Sequence, residues 1–414
     1  MTTATERPTV FGAALPTIAY HGLRCPDEAH AAIAEARRHG PIALGPFGPE
    51  LISYDLVRLA LRDTRFAMPA ACGLSMFGTT SGPLWDKMAA LIVGTDGADH
   101  KRLRRLVSRA FTPKAADRMR TACRERITEL VQPHVSAGRV DVVADIARPY
   151  PVPIICRLLG VPPGDWPVFA EWLRDIARAF APTAADDAAT ILDAWAQLDG
   201  YLVDLIERKR HDETEDLLSE LISAESDGDR LTRREIFDLV AVLLVAGTDT
   251  TRNQLAAAIQ VFSDHPDQWG LLRDHPELAP DAVEEVMRYS PASFTCVRIA
   301  VADVDVDGVV IPAGASVVVN TAAANRDPQR YEDPERFDIT HSGRAAVMTF
   351  GGGAHHCLGA HLARVELAEA LVAMSTLMPR IRRAGPAPWR PIVGIAGPKT
   401  LPIQFDSVPQ PPAG

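Results

Sequence analysis

Residues 350–359 read Phe350-Gly351-Gly352-Gly353-Ala354-His355-His356-Cys357-Leu358-Gly359, and this stretch decides how the rest of the chain is read. Four small residues in a row let a backbone pass close to something large and flat. A lone cysteine follows, and a helix-forming run, Leu358 to Met374, starts directly after it. The positive end of a helix and its unpaired N–H groups favour a thiolate at that place. No second cysteine lies at metal-finger spacing, which argues against zinc and against an iron–sulfur cluster. One thiolate, an aromatic residue seven positions before it and a glycine-lined approach suit a haem iron.

The longest helical signal opens at Thr232, where Thr232 and Glu235 form a T-x-x-E capping box, and it closes before Pro266. Its middle, Leu239 to Ala246, is apolar all round, as in a helix at the centre of a large core. It is too short to cross a bilayer. Within it, Ala246 to Thr251 reads A-G-T-D-T-T, a poor helix former. Ala246 and Gly247 remove side-chain bulk and open a groove against a flat ligand. Thr250 is placed to bond the carbonyl of residue 246 and widen the helix locally. Asp249 and Thr250 are an acid–alcohol pair, the kind that delivers the protons needed to cut an O–O bond. A kink without chemistry is the plain alternative.

In these residues the chain resembles the cytochrome P-450 family, the haem-thiolate monooxygenases. F-x-x-G-x-x-x-C-x-G is that family's haem-binding loop, and [AG]-G-x-[DE]-T is its oxygen-activation motif. Two further motifs follow in the expected order: E-x-x-R at Glu285 and Arg288, and P-E-R-F from Pro334 to Phe337. The resemblance covers nearly the whole chain. It implies a mainly α fold with small β-sheets, a long central helix across the haem, and a single domain over residues 1–414. It implies haem b, with Cys357 as proximal ligand and Phe350, Gly351 and Gly359 around it. Ala246 and Gly247 would lie against the haem. His100 and Arg104 (H-x-x-x-R), Arg298 and His355 would pair its propionates, which are costly to bury alone. Asp249 would be the proton relay, and Thr250 would hydrogen-bond the iron-bound peroxide. Glu285, Arg288 and Arg336 would form the network that braces the loop leading to the cysteine. His356 sits beside Cys357, but a His-ligated haem would lack the thiolate push.

The resemblance also implies a pocket lined by parts of Ala71–Trp85 and Trp172–Ala185, by Val242, Val245, Phe294 and Thr295, and by Val393–Ala396. Met76, Phe77, Phe180 and Ile395 stand out there. For several of these residues an ordinary core position is the alternative. No Arg or Lys lies between Phe66 and Trp85 to anchor an anion, so the expected substrate is a hydrophobic small molecule. The expected reaction inserts one atom of O2 into it, with electrons from a ferredoxin and its reductase. The alternative is a non-catalytic haem-thiolate binder or sensor. A sensor needs no proton relay, so Asp249 and Thr250 favour the enzyme. A peroxide-driven variant is disfavoured because such relatives usually lose the acid–alcohol pair. The chain departs from the family at Asp96–His100, which reads D-G-A-D-H, and at Ile395–Gly397, which reads I-A-G without the usual arginine.

Composition sets the remaining bounds. The 414 residues carry a net charge of −10, which argues against a nucleic-acid partner. Six scattered cysteines fit a reducing cytoplasm, and no stretch is long and apolar enough to span a membrane. A monomer is expected. His100 to Arg120 gathers Lys101, Arg102, Arg104, Arg105, Arg109, Lys114, Arg118 and Arg120 against Asp117 alone. Arg102, Arg105 and Arg109 are expected to be exposed and to dock an acidic ferredoxin; a solvated helix face is the alternative. Other helices are expected over Pro26–Arg38, Tyr54–Arg62, His100–Phe111, Ala115–Ser136, Tyr150–Leu159, Trp166–Phe180, Ala184–Arg210 and Glu215–Ser223. Strands are expected near Ile42–Ile52, Val301–Ile311, Ser316–Asn320 and Leu401–Phe405.

Overall fold

The computed structural model describes residues 7–108, 111–181, 183–211, 216–223, 231–341, 345–392 and 394–407. Its helices, in chain order, are α1 (Pro26–Arg37), α2 (Tyr54–Ala60), α3 (Pro83–Ala89), α4 (Gly97–Ser108), α5 (Pro113–Asp117), α6 (Arg120–Val131), α7 (Pro151–Leu158), α8 (Trp166–Ile176), α9 (Ala188–His211), α10 (Leu217–Ser223), α11 (Arg233–Asp264), α12 (Pro266–Asp274), α13 (Ala279–Tyr289), α14 (Thr321–Asn325) and α15 (Ala360–Leu377). The strands are β1 (Ile42–Gly45), β2 (Gly48–Leu51), β3 (Phe66–Ala67), β4 (Arg139–Asp141), β5 (Cys296–Ala300), β6 (Val304–Val306), β7 (Val309–Ile311), β8 (Ser316–Val319), β9 (Arg382–Arg383) and β10 (Pro402–Gln404). The expected class, mainly α with small sheets, is the class found.

Two compact units divide the chain. The first comprises Met1–Met68, Ala256–Cys357 and Arg383–Pro402; the second comprises Pro69–Leu255, Leu358–Arg382 and Ile403–Gly414. The first holds a five-stranded sheet in the order β1-β2-β8-β5-β3. β2 and β8 pair in parallel, and β5 runs antiparallel to β8 with Arg298 opposite Val317. Ile42, Leu51, Val317 and Val319 from this sheet pack with Tyr54, Val57 and Ala60 of α2. The expected strand at 301–311 is a hairpin of β6 and β7. Asp307 and Gly308 turn it with φ of 50° and 82°, as a D-G hairpin turn requires. β5 and β3, which lack clear alternation in sequence, were not among the expected strands.

In the second unit every residue from Leu239 to Val245 of α11 is buried, as an all-apolar stretch requires. The capping box at its start is formed in both directions. Glu235 N donates to Thr232 Oγ1 at 3.2 Å, and Thr232 N donates to Glu235 Oε2 at 2.7 Å. The expected helix over Ala115–Ser136 is divided. Thr112 caps α5 through Ala115 N, the helix breaks after Asp117, and α6 stops at Val131, just before Pro133. Proline has no N–H to continue the ladder. No helix among the described residues is long and apolar enough to cross a membrane.

Candidate functional site

The loop that ends at Cys357 belongs to the first unit. Cys357 N donates to Phe350 O at 2.8 Å, and Gly351 N donates to Met348 O at 2.8 Å, so the loop is closed by its own backbone. Gly353 has φ of 65°, and a Cβ there would stand 2.2 Å from the Leu61 carbonyl oxygen. Only glycine fits that close approach. Cys357 is exposed at the end of this rigid loop, two residues before Gly359, the N-cap of α15. His356 is also exposed, with its ring 6.4 Å from that of Phe350.

Behind the loop, Asn325 Oδ1 accepts from Met348 N at 2.7 Å, and Asn325 Nδ2 donates to Thr349 Oγ1 at 2.8 Å. The Asn325 carbonyl accepts from Arg288 Nη1 at 3.4 Å, and Arg288 belongs to a buried ion pair. Arg288 Nε and Nη2 meet Glu285 Oε2 and Oε1 at 2.7 and 3.0 Å, and both side chains are all but fully buried. Arg288 also donates to the carbonyls of Pro334 and Arg336, each at 2.7 Å. Glu285 accepts from Asp338 N at 2.8 Å. The third arginine of the expected network enters differently. The Arg336 guanidinium is exposed and pairs with Asp338 at 3.1 Å; only its carbonyl joins Arg288.

In the second unit, α11 keeps an α-helical backbone through A-G-T-D-T-T. Thr250 Oγ1 donates to Ala246 O at 2.8 Å, the bond expected, but without a change of helix type. Ala246 is exposed although the seven residues before it are all buried. That is an open face on a core helix. Gly247 serves a different purpose from the one expected. A Cβ there would lie 3.3 Å from Ile155 Cδ1, so its smallness lets α7 approach α11. Asp249 forms an ion pair with Arg252 one turn on.

Glu366 was not among the residues expected at the site. On α15, this carboxyl accepts from Thr251 Oγ1 at 3.1 Å through Oε2, while Oε1 has no partner among the described residues. Burial pushes its pKa up to about 8, against the lesser pull of Thr251. Tyr150 donates to the Glu366 carbonyl at 2.8 Å. The available signal was a glutamate in an otherwise apolar helical stretch, Val365-Glu366-Leu367-Ala368.

The other expected residues are distributed as follows. His100 is buried on α4, and Arg104 stands one turn on, half-buried, so the two share a helix face. Arg298 is buried in β5 and His355 is half-buried in the cysteine loop. Arg105 is exposed, whereas Arg102 is half-buried in an ion pair with Glu235; Arg109 lies outside the described residues. Val242 and Val245 are buried, Met76 is half-buried, and Phe77 and Phe180 are exposed. Phe294 N donates to Gly394 O at 3.0 Å and Ala396 N donates to Ala292 O at 2.8 Å, which sets two of the expected pocket segments side by side. Side chains alternate along such a pairing. Thr295 is half-buried and Ile395 exposed, while Phe294 turns into the core with its ring 5.2 Å from that of His30. Phe294 is thus a core residue rather than an open wall. Val393 lies outside the described residues.

Among the described residues no group of three or more His, Cys, Asp and Glu side chains could hold a metal ion. A single exposed cysteine on a rigid glycine loop therefore fits an iron whose other ligands come from a macrocycle, as in a haem.

Residues 271–375 match the family model described as Cytochrome P-450. Luteothin monooxygenase of Streptomyces thioluteus is 37% identical over 375 residues, covering 90% of this chain and 92% of that protein. The cytochrome P-450 monooxygenase PikC of Streptomyces venezuelae is 38% identical, covering 90% of each. The crystal structure of CalO2 superposes with a TM-score of 0.84 at 32% identity, over 92% of this chain and 96% of that one. The chain belongs to the cytochrome P-450 family. It is a haem-iron monooxygenase that uses O2 and an organic substrate. The alternative of a non-catalytic haem binder falls away beside relatives named as monooxygenases.

Proposed function

We propose that this protein hydroxylates a hydrophobic small molecule, with Cys357 as the protein ligand to iron and with Asp249 and Thr250 as the groups that hold and pass protons. The observation that carries this reading is the Thr250 hydrogen bond to Ala246 O at 2.8 Å beside the open face of α11. With its hydrogen spent on that carbonyl, Oγ1 turns its lone pairs outward and can accept from a protonated reacting oxygen. Asp249 sits one residue earlier, with its Oδ1 paired to Arg252. Thr251 and Glu366 form a second hydroxyl–carboxyl pair facing into the second unit, away from bulk water. When bound, the haem supplies the chemistry that puts one atom of O2 into the substrate and releases the other as water. The second atom needs two protons, and the residues of α11 are suited to meter them.

Haem b is the form proposed, since no C-x-x-C-H stretch occurs that could attach a haem covalently. His100, Arg104, Arg298 and His355 are the proposed propionate partners. The proposed electron source is an acidic ferredoxin with its reductase, for which exposed Lys101 and Arg105 on α4 offer positive charge. We take residues 1–414 to work as one catalytic domain, in line with relatives that align over nine-tenths of the chain, and we propose a cytoplasmic monomer. The test is a panel of terpenoids, steroids, fatty chains and polyketides, screened for the low-spin to high-spin shift of the ferric haem. Binders are then turned over with a surrogate ferredoxin pair. A hydroxylated product is expected. Turnover that yields only peroxide for every binder would overturn the hydroxylase reading.

A further inference from the structure

The segment from Pro69 to Gly94 of the second unit carries Met76 and Phe77, and its backbone is irregular. Ala71, Cys72 and Gly73 are left-handed in succession, with φ of 47°, 56° and 90°. An alanine and a cysteine stay in that region only when their surroundings impose it. Part of the imposition comes from α3 and the residues after it. Cys72 Sγ lies 3.7 Å from the Met88 carbonyl oxygen, and a Cβ on Gly94 would stand 3.3 Å from that sulfur. Yet α3 has only 7 residues, and its N-cap, Gly82, offers no side chain. A helix so short does not hold itself in place.

Lys87 holds it. This lysine is only 6% exposed, and its ammonium lies 3.0 Å from Asp199 of α9 and 2.9 Å from Asp238 of α11. It also stands 5.2 Å from the centre of the buried Trp195 ring, a cation–π contact. Arg234 Nε meets the other Asp238 oxygen at 3.0 Å, so two cations and two carboxylates neutralise one another. Buried charges tolerate no slippage, because moving one partner leaves the other without compensation.

We propose that Lys87, with Asp199 and Asp238, is a specificity-determining anchor: it fixes the strained segment 69–94 and so sets the shape that Met76 and Phe77 present to the substrate. The proposal rests on those two residues lining the pocket. The experiment uses haem-loaded wild type, Lys87→Met and the milder Asp199→Asn. Hydrogen exchange is followed by mass spectrometry, and two haem-binding probes are titrated, the bulky clotrimazole and the small imidazole. In either variant that folds, exchange across 69–94 should rise about tenfold while peptides from α7 and α15 keep wild-type rates. Clotrimazole affinity should change about fivefold or more, with imidazole affinity unaltered. Unchanged exchange across 69–94 in both variants would overturn the anchor. So would a rise spread evenly over the whole chain, which marks a general stabilising role. Phe77→Ala and Met76→Ala separate the premise from the proposal. If neither alters clotrimazole binding, the pocket reading fails; if they do and the Lys87 and Asp199 variants do not, the anchor alone fails.

Discussion

The Thr251 hydroxyl donates to Glu366 across 3.1 Å, and this bond ties the turn of α11 that follows Asp249 and Thr250 to a carboxyl buried on α15. Burial raises that carboxyl from an ordinary 4.5 to about 8, so at neutral pH the folded chain holds a proton that the unfolded chain has released. Stability from this group is complete below the unfolded value. It declines as pH rises through that window and levels off once the folded group has ionised. Glu366→Gln, which cannot ionise, should remove the decline. Melting temperatures of the two proteins should diverge from pH 5 to about pH 8 in favour of the variant and run parallel above it. Parallel curves throughout would mean that Glu366 is ionised in the folded protein.

The Glu285–Arg288 pair and Arg336 should behave as unequals. Removing Glu285 leaves a guanidinium buried at 1% exposure without its carboxylate, so Glu285→Ala should cost about 3–5 kcal/mol and lower haem retention. The Arg336 side chain is 68% exposed and pairs with Asp338 at 3.1 Å, so Arg336→Ala should cost about 1 kcal/mol or less. Thermal melts and haem content measured side by side decide this. Equal losses would show that the third arginine acts through its side chain after all.

How much of this was legible in sequence depends on what each residue needs from distant parts of the chain. The loop before Cys357 was readable as a loop because it closes through its own backbone, but the approach of Leu61 that demands glycine at 353 was not. The capping box at Thr232 and Glu235 was readable because its partners lie close in sequence, and so was the Thr250 bond to residue 246. Gly247 was misread because its neighbour, Ile155, lies far off in sequence and only packing brings it close. Phe294 took the core position that was the open alternative, because the face it takes depends on the register against Gly394 and Ala396. Glu366 and Lys87 went unnoticed, since a single charged residue in a helical stretch looks like surface until its partners are known.

Cys357→His should keep the fold, since the cysteine is exposed and its loop is held by backbone bonds at Phe350 and Met348. The reduced, carbon-monoxide-bound variant should lose the Soret position of a thiolate-ligated haem and take that of a His-ligated one, with product formation abolished. Retention of the thiolate-type band would place the iron ligand on another cysteine.

Thr250→Ala removes the hydroxyl beside the open face of α11 and the bond to Ala246 O. Alanine is the better helix former, so the fold should be no less stable. NAD(P)H consumption through the redox partners should continue, while product per electron falls about tenfold or more and peroxide makes up the difference. Thr250→Ser, which keeps the hydroxyl, should stay close to wild type. An unchanged product yield in the alanine variant would remove Thr250 from the proton path.

The basic surface of α4 separates into residues with different tasks. Arg102 is paired with Glu235, the residue that completes the cap of α11, so reversing it disturbs that helix start and is a poor probe of docking. Arg105 is exposed one turn on, and Arg105→Glu is the informative change. A surface charge that steers an acidic partner alters the rate of encounter and does so most at low salt. Reduction by ferredoxin in stopped flow should therefore slow about tenfold at low ionic strength and converge on wild type as salt is raised. Haem content and substrate affinity should stay as they are. A rate that ignores both the substitution and the salt would return α4 to the plain role of a solvated helix face.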